Sequence, residues 1–139
     1  MALYLEDFRL GESHLTRGRT IGDYTPLHMD EHYMAKTAYG TRIAHGTLTL
    51  ATAIGLMTQL GLIDETVLGL LKLESGFSAP VKIGDTIHAR VTPVEARRTS
   101  KRVTGILKLR FEVLNHREEM VQEGFMTIMI KARAAGLSS

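Results

Sequence analysis

The run G-T-L-T-L-A-T-A-I-G-L-M-T-Q-L, Gly46 to Leu60, decides the fold. Leu50, Ala53, Ile54 and Met57 recur at spacings of three and four, the period of one helical face. Leu48, Ala51 and Leu56 place apolar groups on the other faces, and a helix apolar nearly all round is a buried helix. Gly61 follows directly and supplies a stop, because glycine takes the left-handed conformation that ends helices. Downstream the period changes to two. In D-T-I-H-A-R-V-T-P-V-E-A, Ile87, Ala89, Val91 and Pro93 share one face, and His88, Arg90 and Thr92 share the other. In V-T-G-I-L-K-L-R-F-E-V-L, Leu107, Leu109, Phe111 and Val113 oppose Ile106, Lys108, Arg110 and Glu112. A turn at N-H-R-E and a last strand in M-V-Q-E-G-F-M-T-I-M-I-K-A complete the pattern. Upstream, Asp30 caps a predicted short helix to Thr37, and His14 to Thr20 is a predicted short strand. The expectation is an α+β fold, one buried helix against an antiparallel sheet of about four long strands and one more from the N-terminal zone.

A length of 139 residues fits one domain, 1–139. A chain of this size buries only about two-thirds of the surface its unfolded form exposes, which favours dimerisation. The formal net charge of +2 and the lack of a like-charge run argue against a nucleic-acid partner. The absence of cysteine excludes disulfides, thiol catalysis and thiolate-bound zinc. Met1 to Leu10 carries Glu6 and Asp7 and no apolar core of a signal peptide. The apolar stretch Leu48 to Leu62 is too short and too polar to span a membrane. The expected compartment is the cytoplasm.

Polar candidates for chemistry concentrate in G-D-Y-T-P-L-H-M-D-E-H, followed by R-I-A-H-G. Asp23 and His28 flank Pro26, which fixes its own φ and extends Thr25. A stiff turn of this kind can direct a carboxylate and an imidazole at one water, a general acid–base pair. The competing reading has Asp23 capping the turn and His28 on the surface. His45 and Gly46 stand where the buried helix begins. There unsatisfied N–H groups and the positive end of the helix dipole suit an oxygen that gains negative charge. Alternatively, Gly46 only lets the chain enter the helix without a clash. His28 and His32 could share a helical face around a metal, but H-M-D-E-H lacks the H-E-x-x-H pattern, so no metal is expected. Arg97, Arg98, Lys101 and Arg102 cluster at a predicted hairpin turn. They suit phosphate oxygens, although a solvated turn tip is the simpler reading.

The windows G-D-Y-T-P-L-H-M-D and A-Y-G-T-R-I-A-H-G resemble the signature of the MaoC-like, (R)-specific enoyl-CoA hydratases, roughly G-D-x-N-P-[aliphatic]-H and F-G-x-x-I-x-H-G. The later F-S-A-P-V-K-I-G-D-T resembles a further element of that family. The resemblance implies a hot dog fold, a long central helix wrapped by a curved antiparallel sheet. Two such domains would pair, with the active site near their interface. It implies syn addition of water to a trans-2-enoyl-CoA to give an (R)-3-hydroxyacyl-CoA, or the reverse. No metal or redox cofactor is implied, because the thioester itself activates the alkene. Asp23 and His28 match the family's catalytic pair and Gly46 the glycine that meets the thioester oxygen, with His45 and Thr25 beside them. Three departures stand out. Thr25 replaces the usual Asn, Met34 occupies a usually small position, and Ile21 runs directly into Gly22 where the family has an intervening helix.

Rival readings remain on the same fold. One is a hydratase or dehydratase of a branched or dicarboxylic short-chain acyl-CoA. Another is a non-catalytic acyl-CoA-binding or assembly subunit, which retention of Asp23 and His28 opposes. A thioesterase would need an acid on the central helix, and Gly46 to Leu62 contains no Asp or Glu.

Overall fold

A computed structural model describes residues 3–21, 46–62, 65–82, 84–101 and 103–133. Its elements are a 3-10 turn at Leu5–Asp7, then strands β1 (His14–Leu15) and β2 (Arg19–Thr20) and helix α1 (Gly46–Thr58). Strands β3 (Val67–Phe77), β4 (Thr86–Arg98), β5 (Thr104–Asn115) and β6 (Met120–Lys131) follow. The predicted helix from Asp30 to Thr37 lies outside the described residues, as does the junction after Ile21. The sheet runs β1-β4-β5-β6-β3, β2 also pairs with β4, and every pairing is antiparallel. The predicted N-terminal strand is thus two short ones, interrupted where Thr16 turns its hydroxyl back to accept from the Ala89 N–H at 2.8 Å.

The two-residue period carries the long strands as read. Ile87, Ala89, Val91 and Pro93 of β4, and Leu107, Leu109, Phe111 and Val113 of β5, are buried. On β6 the inward set is Met126, Ile128 and Ile130. Pro93 has no N–H for a ladder, and the β4–β5 register shifts between Pro93 and Glu95, where such a residue is tolerated. Four irregularities of register, two of them along β3, bend and twist the sheet.

Helix α1 lays Leu50, Ala53, Leu56 and Met57 on this inner face, joining the strand residues in one apolar core. Gly61, at φ 71°, ends the helical region as expected, with its N–H donating to the Thr58 carbonyl. The expectation of burial on every side is corrected: Thr47, Ala51, Gly55 and Thr58 are exposed in this single chain. They recur at helical spacing on the side away from the sheet, and the sheet covers only the opposite side. His14 is half-buried and lines a cavity of about 30 Å³ beside Met57, Val91 and Leu109.

The two ends of the described chain are tied by charge. Arg133 forms a two-pronged ion pair with Asp7 at 2.7 and 2.9 Å and stacks over the Tyr4 ring at 4.8 Å. The Arg133 guanidinium, and then the Tyr4 N–H at 2.9 Å, hold the Asp7 carboxyl below the usual carboxylate range. A carboxyl depressed on folding stabilises fully above its unfolded value of about 4, and the gain is lost as pH falls through the folded value. Asp7→Asn therefore lowers unfolding free energy at pH 7 by no more than about 1 kcal/mol, since solvent screens a pair near the surface. Urea titrations at pH 7 and pH 2.5 check this: the difference from wild type shrinks at the acid pH, and an equal difference at both contradicts it.

Candidate active site

Segments far apart in sequence meet at one end of the sheet. Phe77, the last residue of β3, pairs with Gln122 of β6, which pairs with Val113 of β5. Ile87 at the start of β4 pairs with Asn115 and with Arg19 of β2. Ile21 follows β2 and is gripped from both sides: its N–H donates to the Asp85 carbonyl and its carbonyl accepts from the Gly84 N–H, both at 3.0 Å. Gly84 sits at φ 95°, a conformation that favours glycine. Asp85 is buried, and its carboxylate accepts from the Lys82 N–H at 3.0 Å. Gly84 and Asp85 thus fix the residue that in sequence leads into the window G-D-Y-T-P-L-H.

Gly46 is the first described residue of α1 and lies at this same end. A Cβ there would stand 2.8 Å from the Phe77 ring, so only glycine lets helix and ring approach this closely. The Gly46 carbonyl accepts from Nε2 of Gln122 at 2.9 Å. Gln122 is only 2% exposed and projects from an otherwise apolar face. Among the described residues, its Oε1 and the nearby helix hydroxyl of Thr49 are buried without a hydrogen-bond partner.

Of the residues singled out from sequence, Asp23, Thr25, His28, His45 and Arg102 lie outside the described residues, as do His32 and Met34. Arg97 and Arg98 end β4, and Lys101 lies in the turn beyond it. That turn is at the other end of the sheet from Gly46. The β5 stretch from Val113, beside Gln122, to Gly105, beside Arg98, covers roughly 27 Å at about 3.4 Å per residue. Arg98 is engaged with Glu6 at 2.7 Å and donates to the Arg133 carbonyl at 2.6 Å. Within one chain these cations do not converge on Gly46. The sequence reading passed over Phe77 and Gln122. The signal for Gln122 was present: it keeps the two-residue phase of Met126, Ile128 and Ile130, so it is a polar group at an inward position.

Comparison with known proteins agrees with this geometry. A family model described as a MaoC like domain matches residues 17–113. The chain belongs to the MaoC-like dehydratase family. It is 33% identical over 111 residues to a 3-hydroxybutyryl-CoA dehydratase of Methylorubrum extorquens, covering 67% of this chain and 65% of that protein. It thus spans just under two-thirds of that relative's length. It is 32% identical over 142 residues to an (R)-specific enoyl-CoA hydratase of Rhodospirillum rubrum, covering 94% and 93% of the two chains. Among solved structures, a Mycobacterium tuberculosis protein with a double hotdog fold superposes with a TM-score of 0.82 at 20% identity, over 99% of this chain and 47% of that one. The fold of this MaoC-like chain is the hot dog fold, and the α+β expectation holds. Among the described residues no helix is long and apolar enough to cross a membrane.

The approach of Phe77 to Gly46 is testable by a double-mutant cycle. Gly46→Ala forces the ring away, and Phe77→Ala removes the obstacle. Thermal melts should show the penalty of Gly46→Ala reduced in the Phe77→Ala background, a coupling of about 1 kcal/mol. Strictly additive effects would contradict the contact.

Proposed function

We propose that this chain is a hydro-lyase that adds water to a trans-2-enoyl-CoA, giving an (R)-3-hydroxyacyl-CoA, or catalyses the reverse dehydration, with 1–139 acting as one hot dog domain. The observation that carries the reading is the construction around Gly46. A glycine that a Cβ would push against Phe77 begins a helix at the end of the sheet where Gly84 and Asp85 grip Ile21, the residue that in sequence immediately precedes the motif bearing Asp23 and His28. The names of the Methylorubrum and Rhodospirillum relatives support the same chemistry.

In this mechanism Asp23 and His28 hold one water against the β-carbon of the enoyl group. The water oxygen attacks, its proton passes to the pair, and a proton is delivered to the α-carbon on the same face. The negative charge that develops on the thioester oxygen is met by the Gly46 N–H at the positive end of α1, with His45 and Thr25 lining the site. The thioester activates the alkene, so the scheme calls on no metal or redox group. Thr25 offers a hydroxyl where the family has an amide, which changes how the turn is supported. Arg97, Arg98, Lys101 and Arg102 are proposed only as a surface for CoA phosphates reached outside this chain's own Gly46 site.

Asp23→Asn and His28→Ala should each lower kcat for crotonyl-CoA hydration by roughly 10²- to 10⁴-fold, read from loss of enoyl absorbance. Wild-type turnover in either variant would remove that residue from the mechanism.

The functional unit is proposed to be a homodimer. Strand β3 is the sheet's edge and leaves Leu68, Leu70, Leu71, Leu73 and Phe77 exposed. Among the described residues β3 pairs with β6 alone, and a long apolar edge of this kind can pair with another strand. A second copy pairing β3 to β3 about a two-fold axis would cover it, much as one chain of the Mycobacterium protein carries a double hotdog fold. Leu70→Glu together with Leu73→Glu should give a monomer in sedimentation velocity. A dimer that persists unchanged would place the interface elsewhere.

A further inference from the structure

Gln122 is a costly residue where it stands. It occupies an inward position of β6 in phase with Met126, Ile128 and Ile130, and is 2% exposed. Its Nε2 is used, donating at 2.9 Å to the Gly46 carbonyl, while its Oε1 is buried with no partner among the described residues. Leaving one half of a buried amide unsatisfied gives up much of what the other half contributes. An apolar side chain of the same length would avoid that cost, so stability alone does not account for a glutamine here. Such exceptions call for a role beyond packing.

The bond joins the first residue of α1 to a strand of the sheet. Gly46 begins the helix, and Gln122 is on a strand whose ladder partners on both sides are in place. The helix attaches to the core through Leu50, Ala53, Leu56 and Met57, with Leu48 partly buried against it. At Gly46 itself, among the described residues, the Phe77 ring stands against the Cα and the Gln122 amide meets the carbonyl. The ring limits how closely the glycine approaches. The helix already directs that carbonyl along its axis; the Gln122 hydrogen bond adds a tie from this first carbonyl of α1 to β6, and so fixes where the start of the helix, with the Gly46 N–H, stands relative to the sheet.

We propose that Gln122 is a positioning residue that ties the start of α1 to β6 through the Gly46 carbonyl, so that the Gly46 N–H, on the preceding peptide, is held at the thioester oxygen of the substrate. This rests on the hydratase reading. Gln122 touches no reacting atom. It acts on kcat through Gly46, because the N–H must meet an oxygen whose charge grows only as water adds.

The test compares wild type with Gln122→Met, which matches the side chain in length and lacks both polar atoms. Gln122→Glu is the conservative partner: burial drives its carboxyl to the neutral form, whose O–H can donate to the same carbonyl. Three readouts are taken: kcat and KM for crotonyl-CoA hydration, the melting temperature, and the Gly46 carbonyl-carbon NMR signal. The expected result is a kcat reduced roughly tenfold to a hundredfold in Gln122→Met, with KM within about twofold. Its melting temperature should be no lower than wild type, and its Gly46 carbonyl signal should move upfield. Gln122→Glu should restore both signal and kcat. An unchanged kcat in Gln122→Met overturns the proposal. So does a loss that simply follows a fall in melting temperature or a failure to fold, because the role is then structural. If wild type hydrates no enoyl-CoA, the hydratase reading has failed. The carbonyl signal then decides alone whether Gln122 holds Gly46, and an unmoved signal in Gln122→Met overturns it.

Discussion

The packing of α1 on the inner face of the sheet is the constraint on which the rest of the molecule depends. Leu50, Ala53, Leu56 and Met57 can leave water only against Ile87, Ala89, Leu107, Phe111 and their neighbours. That face is supplied by strands whose alternation is strict enough to fix which side chains point inward. Once the helix is seated, its first residue is carried to one end of the sheet. There the packing becomes specific instead of merely apolar. A glycine, an aromatic ring and a buried amide replace the interchangeable aliphatic contacts of the core.

The same end gathers pieces from across the chain. Ile21 is held by Gly84 and Asp85, and Phe77 and Gln122 are ladder partners that both reach Gly46. These contacts are between backbone groups or to them, so they fix geometry more than they add burial. The opposite end is organised by charge: Asp7 with Arg133, and Glu6 with Arg98, tie the N-terminal turn to the last strand and the β4–β5 hairpin. A site at one end and a clamp at the other is a reasonable division for a small sheet, since ligand contact and terminal fraying do not compete for the same residues.

Much of this was legible in the sequence because it depends on local periodicity. The helix from Gly46, the stop at Gly61 and the inward faces of β4 and β5 follow from spacings of three to four and of two. What periodicity could not reveal was which sides of α1 meet the sheet, because that depends on where the strands curve, not on the helix's own residues. The exposed stripe Thr47, Ala51, Gly55 and Thr58 is the result. Nor could it show that Arg97, Arg98 and Lys101 stand at the other end of the sheet from Gly46, since that placement is set by strand register. Gln122 was missed for a different reason. Its inward phase was readable, but its partner lies in another element, and only the folded chain brings the amide to the Gly46 carbonyl. Asp23 and His28 rest on motif resemblance and family membership.

The central claim is that water adds to an enoyl thioester at the Gly46 end of the helix. It is tested most directly by incubating the protein with crotonyl-CoA in D₂O and determining the product's configuration and labelling. The account predicts (R)-3-hydroxybutyryl-CoA carrying one deuterium at C2, placed by syn addition, with the thioester intact. Release of free CoA, an (S) product, or no conversion of any enoyl-CoA would contradict it.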